Sequence, residues 1–240
     1  MVTSSPGWRL PGTVPGGQHV GKEATIWDLD FYQIDEAGEV ISYNWCLIDF
    51  VDLMRQLGYQ VLPKPGLREG LMLPPAAMDG IPGPVSRLVR PEDTQMALDI
   101  VTELVLEDFV TGAGPSLLWD EDMVWYGGAG FGMATSRAEY EEHVLGPLRA
   151  GLSDRDLHLD ILHCEGVYCG GHGYLVGRHT GEWLGEEPTG LPVRLRLALH
   201  WRVDLTQGVV KECWAMFDLP AAFIMMGVDL FDRMNDKYRI

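Results

Sequence analysis

The sequence predicts an α+β roll, a curved and mainly antiparallel sheet wrapped on helices. Two patterns carry that expectation. Between residues 91 and 240, helix-period segments come first and a meander of long strand-period segments follows, an order that buries one sheet face against the helices before it. The stretch from His179 to Gly227 also recurs, in degraded form, between Leu10 and Gly58. A shift of 169 positions superposes Gly12 on Gly181, Gly16 on Gly185, Gly21 on Gly190, Asp35 on Asp204, Val40 on Val209, Trp45 on Trp214, Asp49 on Asp218 and Gly58 on Gly227. Matched glycine, tryptophan and aspartate across turns and strands are the mark of a duplicated supersecondary unit. The chain therefore divides into a partial repeat (residues 1–63), a Pro/Gly-rich linker (64–90) and one complete unit (91–240).

In chain order, Pro6, Gly7 and Pro11 predict an irregular start. Residues 22–34 and 39–49 read as two strands rich in Ile, Trp, Phe, Tyr and Val, joined by a turn at 35–38 and followed by a short helix ending near Gly58. A lone hairpin buries too little apolar surface to stand in water, so this one must lie against the complete unit, either within the chain or across a homodimer. The linker is punctuated by Pro65, Pro74, Pro75, Pro82 and Pro84, but Leu71, Met72, Leu73, Met78 and Ile81 predict that it is docked rather than free.

The complete unit opens at Pro91, where Glu92 and Asp93 load a helix N-terminus with negative charge. Ala97, Leu98, Val101, Leu104, Val105 and Phe109 keep an apolar stripe as far as Val110. A helical turn at 116–119, a strand at 123–126 and a glycine-rich loop at 127–132 lead to a second helix. Ser136 and Glu139 stand there in capping-box spacing, and the helix ends before Gly151. Leu157, Leu159 and Ile161 alternate with polar residues as in a half-buried strand, and 167–178, 193–203 and 209–218 supply three more.

Eighteen basic residues against 35 acidic give a net charge of -17, which repels nucleic acid and anionic membrane surfaces. No apolar run approaches the ~20 residues of a membrane span, and the first residues lack a signal-peptide pattern, so a cytoplasmic protein is expected. The four cysteines (Cys46, Cys164, Cys169, Cys213) form no CxxC pair, and reduced thiols are expected. The histidines show neither HxH nor HxxxH spacing, so no metal is expected. The loop from Gly127 to Gly132 lacks a Gly-Lys-Thr ending and reads as a pocket rim rather than a phosphate cradle. No cofactor is expected.

The segment RHTGEWLGEEPTGLPV, the ending GVVKECWAMFDLP and the earlier DFYQIDEAGEVISYNWCLIDFVDLMRQLG resemble the SnoaL-like polyketide cyclases of the nuclear transport factor 2-like superfamily. The resemblance covers nearly all of residues 91–232, with 10–60 as the closing third of another unit. It implies a cone formed by the curved sheet, closed at one end by helices and holding an apolar pocket for a small hydrophobic or polyketide-like molecule. It also implies a lyase- or isomerase-type ring closure in which a pocket carboxylate, raised in pKa, acts as general acid/base without metal or cofactor. In the family that carboxylate is an Asp directly after the strand tryptophan. Ala215 follows Trp214 here, and Cys46 follows Trp45, so the residue is missing from both copies.

Replacement catalytic candidates are Glu212, on the strand face of Trp214, and His179, which also reads as a structural strand-end histidine. Trp125, Tyr126, Tyr174 and Trp214 are candidates for lining the substrate pocket, with ordinary packing as their other reading. His200 shares a strand face with Arg194, Arg196 and Arg202, opposite Leu195, Leu197, Leu199 and Trp201, which marks it as an outer-face residue. Asp218, recurring as Asp49, reads as a helix cap. Two functions from different classes remain: a cofactor-independent enzyme with a replacement acid/base, or a non-catalytic binding or assembly domain.

Overall fold

The computed structural model describes residues 8–9, 23–78 and 89–240. Strands β1 (Trp8–Arg9) and β2 (Glu23–Ala24) pair with each other. Strands β3 (Asp28–Ile34) and β4 (Ile41–Ile48) form a hairpin followed by helix α1 (Phe50–Gln56). After helix α2 (Pro91–Leu106) come β5 (Trp119–Gly127), β6 (Met133–Ala134), the helical run α3 (Arg137–Tyr140) to α4 (Gly146–Gly151), strands β7 (Leu152–Glu165), β8 (Tyr168–His179), β9 (Pro192–Asp204) and β10 (Val209–Phe217), and helix α5 (Leu219–Met225). The main sheet runs β6-β5-β10-β9-β8-β7 and is antiparallel except where β10 meets β5.

The alternation along β9 separates two faces. Val193, Leu195, Leu197, Leu199, Trp201 and Val203 are buried inward, and Arg194, Arg196, His200 and Arg202 turn outward. Helix α2 covers the inner face with Ala97, Val101, Leu104 and Val105, then continues through a π-helical turn at Glu107–Thr111. The second helix is N-capped as its spacing predicts: Ser136 Oγ accepts the Glu139 N–H at 3.2 Å, and the Glu139 carboxylate takes the Thr135 N–H. A π-helical turn at Glu141–Leu145 interrupts it. The sheet bends at a bulge between Leu159 and Ile161. Gly173, opposite that bulge, lies so close to the His158 carbonyl that no Cβ fits there.

The N-terminal hairpin repeats the pairing of β9 and β10 residue for residue. Leu29 faces Leu47 where Ala198 faces Met216, Phe31 faces Trp45 where His200 faces Trp214, and Gln33 faces Tyr43 where Arg202 faces Glu212. The register slips at the same point in both hairpins, just before the Ile34–Ile41 and Val203–Val210 pairs. Asp49 and Asp218 cap the following helices from the same conformation (φ -78° in each). Both helices end in the same two hydrogen bonds, Gly58 N to Arg55 O with Tyr59 N to Met54 O, and Gly227 N to Ile224 O with Val228 N to Phe223 O. The left-handed conformations of Gly58 and Gly227 (φ 90° and 87°) permit both turns.

The predicted first strand, 22–34, is broken at 25–27 because the Gln56 side chain takes over the backbone of Thr25, accepting its N–H at 2.8 Å and donating to its carbonyl at 2.7 Å. Within the predicted irregular start, Trp8 and Arg9 pair as a strand. The expectations placed on Gly12, Gly16, Gly21, Ile81, Pro82 and Pro84 lie outside the described residues.

The hairpin lies on the outer face of the main sheet. Leu29 and Leu47 pack with Ala198, Met216, Tyr126, Trp214 and Met72. The Phe31 ring stands 4.8 Å from His172 and 5.1 Å from His200, and Trp45 stacks on His172 at 4.1 Å. The described part of the linker is docked beside it: Trp214 Nε1 donates to the Leu73 carbonyl at 2.7 Å, and Glu212 accepts the Ala76 N–H at 2.8 Å. The reduced-thiol expectation fails for one pair. Cys164 and Cys169 stand opposite each other at the β7–β8 turn and form a disulfide, while Cys46 and Cys213 are free.

Burial under the hairpin pushes the His200 imidazole down to about 4, and burial also lowers His172 despite its neighbour Asp160. In the undocked chain both return toward ~6.5. The docked state therefore binds fewer protons, and the His200 contribution is complete above pH ~6.5 and lost as pH falls toward 4. Asp28 and Asp108, raised to about 6 by burial, titrate in the opposite sense, so the readout is a difference. The stability of wild type relative to His200→Gln should shrink by about 1.4 kcal/mol per pH unit between ~6.5 and ~4.5 in urea unfolding; a difference that stays flat or grows contradicts this account.

Candidate functional site

The cone interior is the concave face of the sheet. On β10, Cys213, Ala215 and Phe217 point inward; on β5, Trp125 lies opposite Cys213 and Gly127 opposite Ala215. A chain of rings packs there: Trp119 to Trp125 at 6.5 Å, Trp125 to Tyr140 at 4.6 Å, Trp125 to Phe217 at 6.3 Å, Phe217 to Phe131 at 4.8 Å and Phe131 to Trp183 at 6.5 Å. Two N–H donors in this apolar lining, Trp125 Nε1 and Trp183 Nε1, are buried without an acceptor among the described residues. An unsatisfied buried donor costs about 1–3 kcal/mol. The Trp125 Nε1 atom lies 2.6 Å from where a Cβ on Gly127 would stand, and Gly127 is the residue paired with Ala215 across the strands.

His179 closes β8 and is fully buried. Its Nδ1 accepts the Thr189 N–H at 3.3 Å, with the Thr189 hydroxyl at 3.1 Å, so the neutral ring carries its proton on Nε2. Among the described residues that Nε2 makes no hydrogen bond of standard geometry, although the Glu186 and Gly181 backbones lie near the ring. Burial lowers the His179 pKa, and the nearby Glu186 side chain and backbone partly oppose it.

Asp108, which sequence reasoning missed, is the carboxylate buried in this lining. Burial raises it to about 6. Both its oxygens are occupied: one by the Ser116 N–H at 2.9 Å, the other by Trp119 Nε1 at 2.7 Å and the Tyr140 hydroxyl at 3.2 Å. The Arg149 guanidinium holds the Asp108 and Gly114 carbonyls. The signal was present, since Asp108 falls within the apolar stripe of Val101, Leu104 and Val105.

Four of the proposed site residues lie outside the cone. With Cys213 and Ala215 pointing inward, strand alternation sends Glu212 and Trp214 outward. Glu212 is buried under the linker, with Arg202 at 3.9 Å. Tyr126 stacks on Trp214 at 5.6 Å, and Tyr174 lies under the Arg194 guanidinium at 3.6 Å. Trp125 and His179 are the two that the fold places in the interior. On the far face of the hairpin, Asp28, Asp30 and Cys46 bring their ligand atoms within 4.8 Å of one another, but burial and the neighbouring Asp30 push the Cys46 thiol up to about 12.

The segment 59–69 roofs one end of the cone. Val61 and Leu62 enter the main core. Leu62 packs at Gly130, Leu67 at Gly132 and Pro63 at Gly185, while Gly130 N donates to Glu69 at 2.8 Å and Met133 N to the Arg68 carbonyl at 2.8 Å. A surface cleft of about 490 Å³ opens outside this strap, where Arg233 bridges to Glu186 at 2.5 Å.

The sequence matches no family model and no curated protein. The structure does find relatives. One from Jannaschia sp. CCS1, classed as a SnoaL-like polyketide cyclase, matches with a TM-score of 0.51 at 16% identity, over 58% of this chain and 96% of that one. The two share a fold, an α+β cone-shaped roll. IdmH from Streptomyces antibioticus, for which polyketide cyclase activity is proposed, matches at TM-score 0.47 and 20% identity over 55% of this chain and 99% of its own. An NTF2-like protein from Burkholderia thailandensis E264 matches at 0.42 and 25% over 54% and 96%. Such likeness concerns the fold and leaves the reaction open.

Because Asp108 satisfies Ser116, Trp119 and Tyr140 together, Asp108→Ala should lower unfolding stability by about 2–5 kcal/mol through buried donors left unpaired. Asp108→Asn, which keeps the oxygen acceptor, should lose clearly less. Equal losses in the two variants would show that volume rather than hydrogen bonding matters at this position.

Proposed function

We propose that this chain binds a small, largely apolar molecule carrying oxygen acceptors, and that it does not catalyse ring closure. The observation that carries this reading is the pairing of Ala215 with the unsatisfied Trp125 N–H on the inner face. The family's acid/base position is a methyl group, and the donor at Gly127, its partner across the strands, awaits an acceptor. A carbonyl or ether oxygen of a bound molecule would satisfy Trp125, and the surrounding rings would supply the apolar contact. Proton transfer at carbon needs a group free to take and return the proton; Asp108 is engaged on both oxygens. Entry would pass Val61 and Leu62, the residues that roof the interior.

A second reading, cofactor-independent acid/base catalysis, is favoured by one observation: the buried His179 has a fixed Nδ1 and an Nε2–H with no well-aligned acceptor among the described residues. As a neutral donor it could polarise a substrate carbonyl.

Assay of wild type, Ala215→Asp and His179→Ala on a panel of β-keto esters separates the readings. Under the first, wild type cyclises at background rate yet gains thermal stability with members of the panel, and Ala215→Asp, its carboxyl raised by burial and met by Trp125, gains turnover toward the ~10²- to 10⁴-fold that positioned proton transfer contributes. Wild-type turnover abolished by His179→Ala supports the second. Robust wild-type turnover untouched by His179→Ala, with no ligand stabilisation, contradicts both.

A further inference from the structure

The hairpin meets the main sheet in the manner of a second subunit. Residues 28–58 reproduce β9, β10 and α5 in register, bulge, cap and helix end at the fixed offset of 169 described above. The contact they make is between equivalents. Phe31 stands where His200 stands in the complete unit, and its ring packs on His200 itself at 5.1 Å. Leu29 joins one cluster with its counterpart Ala198, Leu47 with Met216 and Trp45 with Trp214. Helix α1 touches α5, and β4 touches β10. A surface that meets a copy of itself through matching residues is the definition of an isologous, two-fold contact. One half of that contact normally comes from another molecule; here both halves are on one chain.

We infer that residues 28–58 act as a built-in substitute for a partner subunit, and that the occupant this outer face would otherwise take is the β9–β10 face of a second copy of the same chain. The argument rests on the self-complementarity of the face and is independent of what the cone binds. Without the hairpin, Ala198, Trp214, Met216 and Tyr126, all buried in the intact chain, would form a contiguous apolar patch of the kind that soluble monomers cover. The geometry already shows what covers it best, since the same chain contains the fitting shape twice. Asp49 adds a latch: besides capping α1, its second carboxylate oxygen accepts the Ala129 N–H at 2.7 Å, tying the hairpin to the β5–β6 loop.

The consequence is an occluded dimer interface. Light scattering of the intact chain should give the monomer mass of 26.7 kDa. Leu29→Glu with Phe31→Glu, which places two charges in the hairpin contact, should double that mass, because the vacated face pairs with a second copy. Adding Ala198→Glu to this variant should return it to monomer, since the charge then meets its own copy across the two-fold. Fold is followed by near-ultraviolet circular dichroism. If the charged variant does not fold, Phe31→Ala with Trp45→Ala is read the same way, as mass against concentration. A folded released variant that stays monomeric overturns the inference, as does a dimer that Ala198→Glu leaves intact or an intact chain that is already dimeric to the same extent as the released variant.

Discussion

Strand β10 is buried on both faces, and most of the architecture answers that constraint. Val210, Cys213, Ala215 and Phe217 face the aromatic interior, while Glu212, Trp214 and Met216 are buried on the other side. A half-buried strand would alternate apolar with polar residues, but CWAMF does not. A sheet whose central strand is apolar on both sides needs two layers of cover. The helices supply the inner one. The hairpin and the docked linker supply the outer one, and even the buried Glu212 is accommodated there because the linker gives it a backbone N–H.

This constraint also explains how much could be read in advance. Periodicity locates the helices and strands β7 to β9 because each has a single dominant face, and matched Gly, Asp and Trp positions expose the hairpin's relation to β9–β10. The site was less legible. Alternation puts Glu212 and Trp214 on one side of β10, as the structure has them; which side faces the cone depends on the helices and is not written in the strand. Tyr126 and Tyr174 went astray for the same reason. Asp108 escaped notice because a carboxylate in an apolar stripe is recognised as functional or structural only when its three donors, distant in sequence, are in place. The Cys164–Cys169 bond was missed because the spacing is no known redox motif; the turn between β7 and β8 brings the two thiols together.

The interior itself is a polar problem more than an apolar one. Rings fill it, and the ionisable groups that reach it are held in different ways: Asp108 with both oxygens taken up by hydrogen bonds, Cys213 by burial that keeps the thiol protonated, and His179 by a fixed neutral tautomer. Unpaired donors therefore remain without a matching base. That asymmetry is what the proposed reading rests on: donors without acceptors, and a methyl group at Ala215.

The central claim, that the hairpin belongs to the folded core and is not an appendage, is tested most directly at Leu29, a fully buried residue outside the cone. Urea unfolding of Leu29→Ala should show a single cooperative transition displaced by about 2–5 kcal/mol, the loss expected when a large aliphatic side chain is removed from a packed interior. A loss below about 1 kcal/mol, or a separate early transition for the hairpin with the main sheet unaffected, would contradict it.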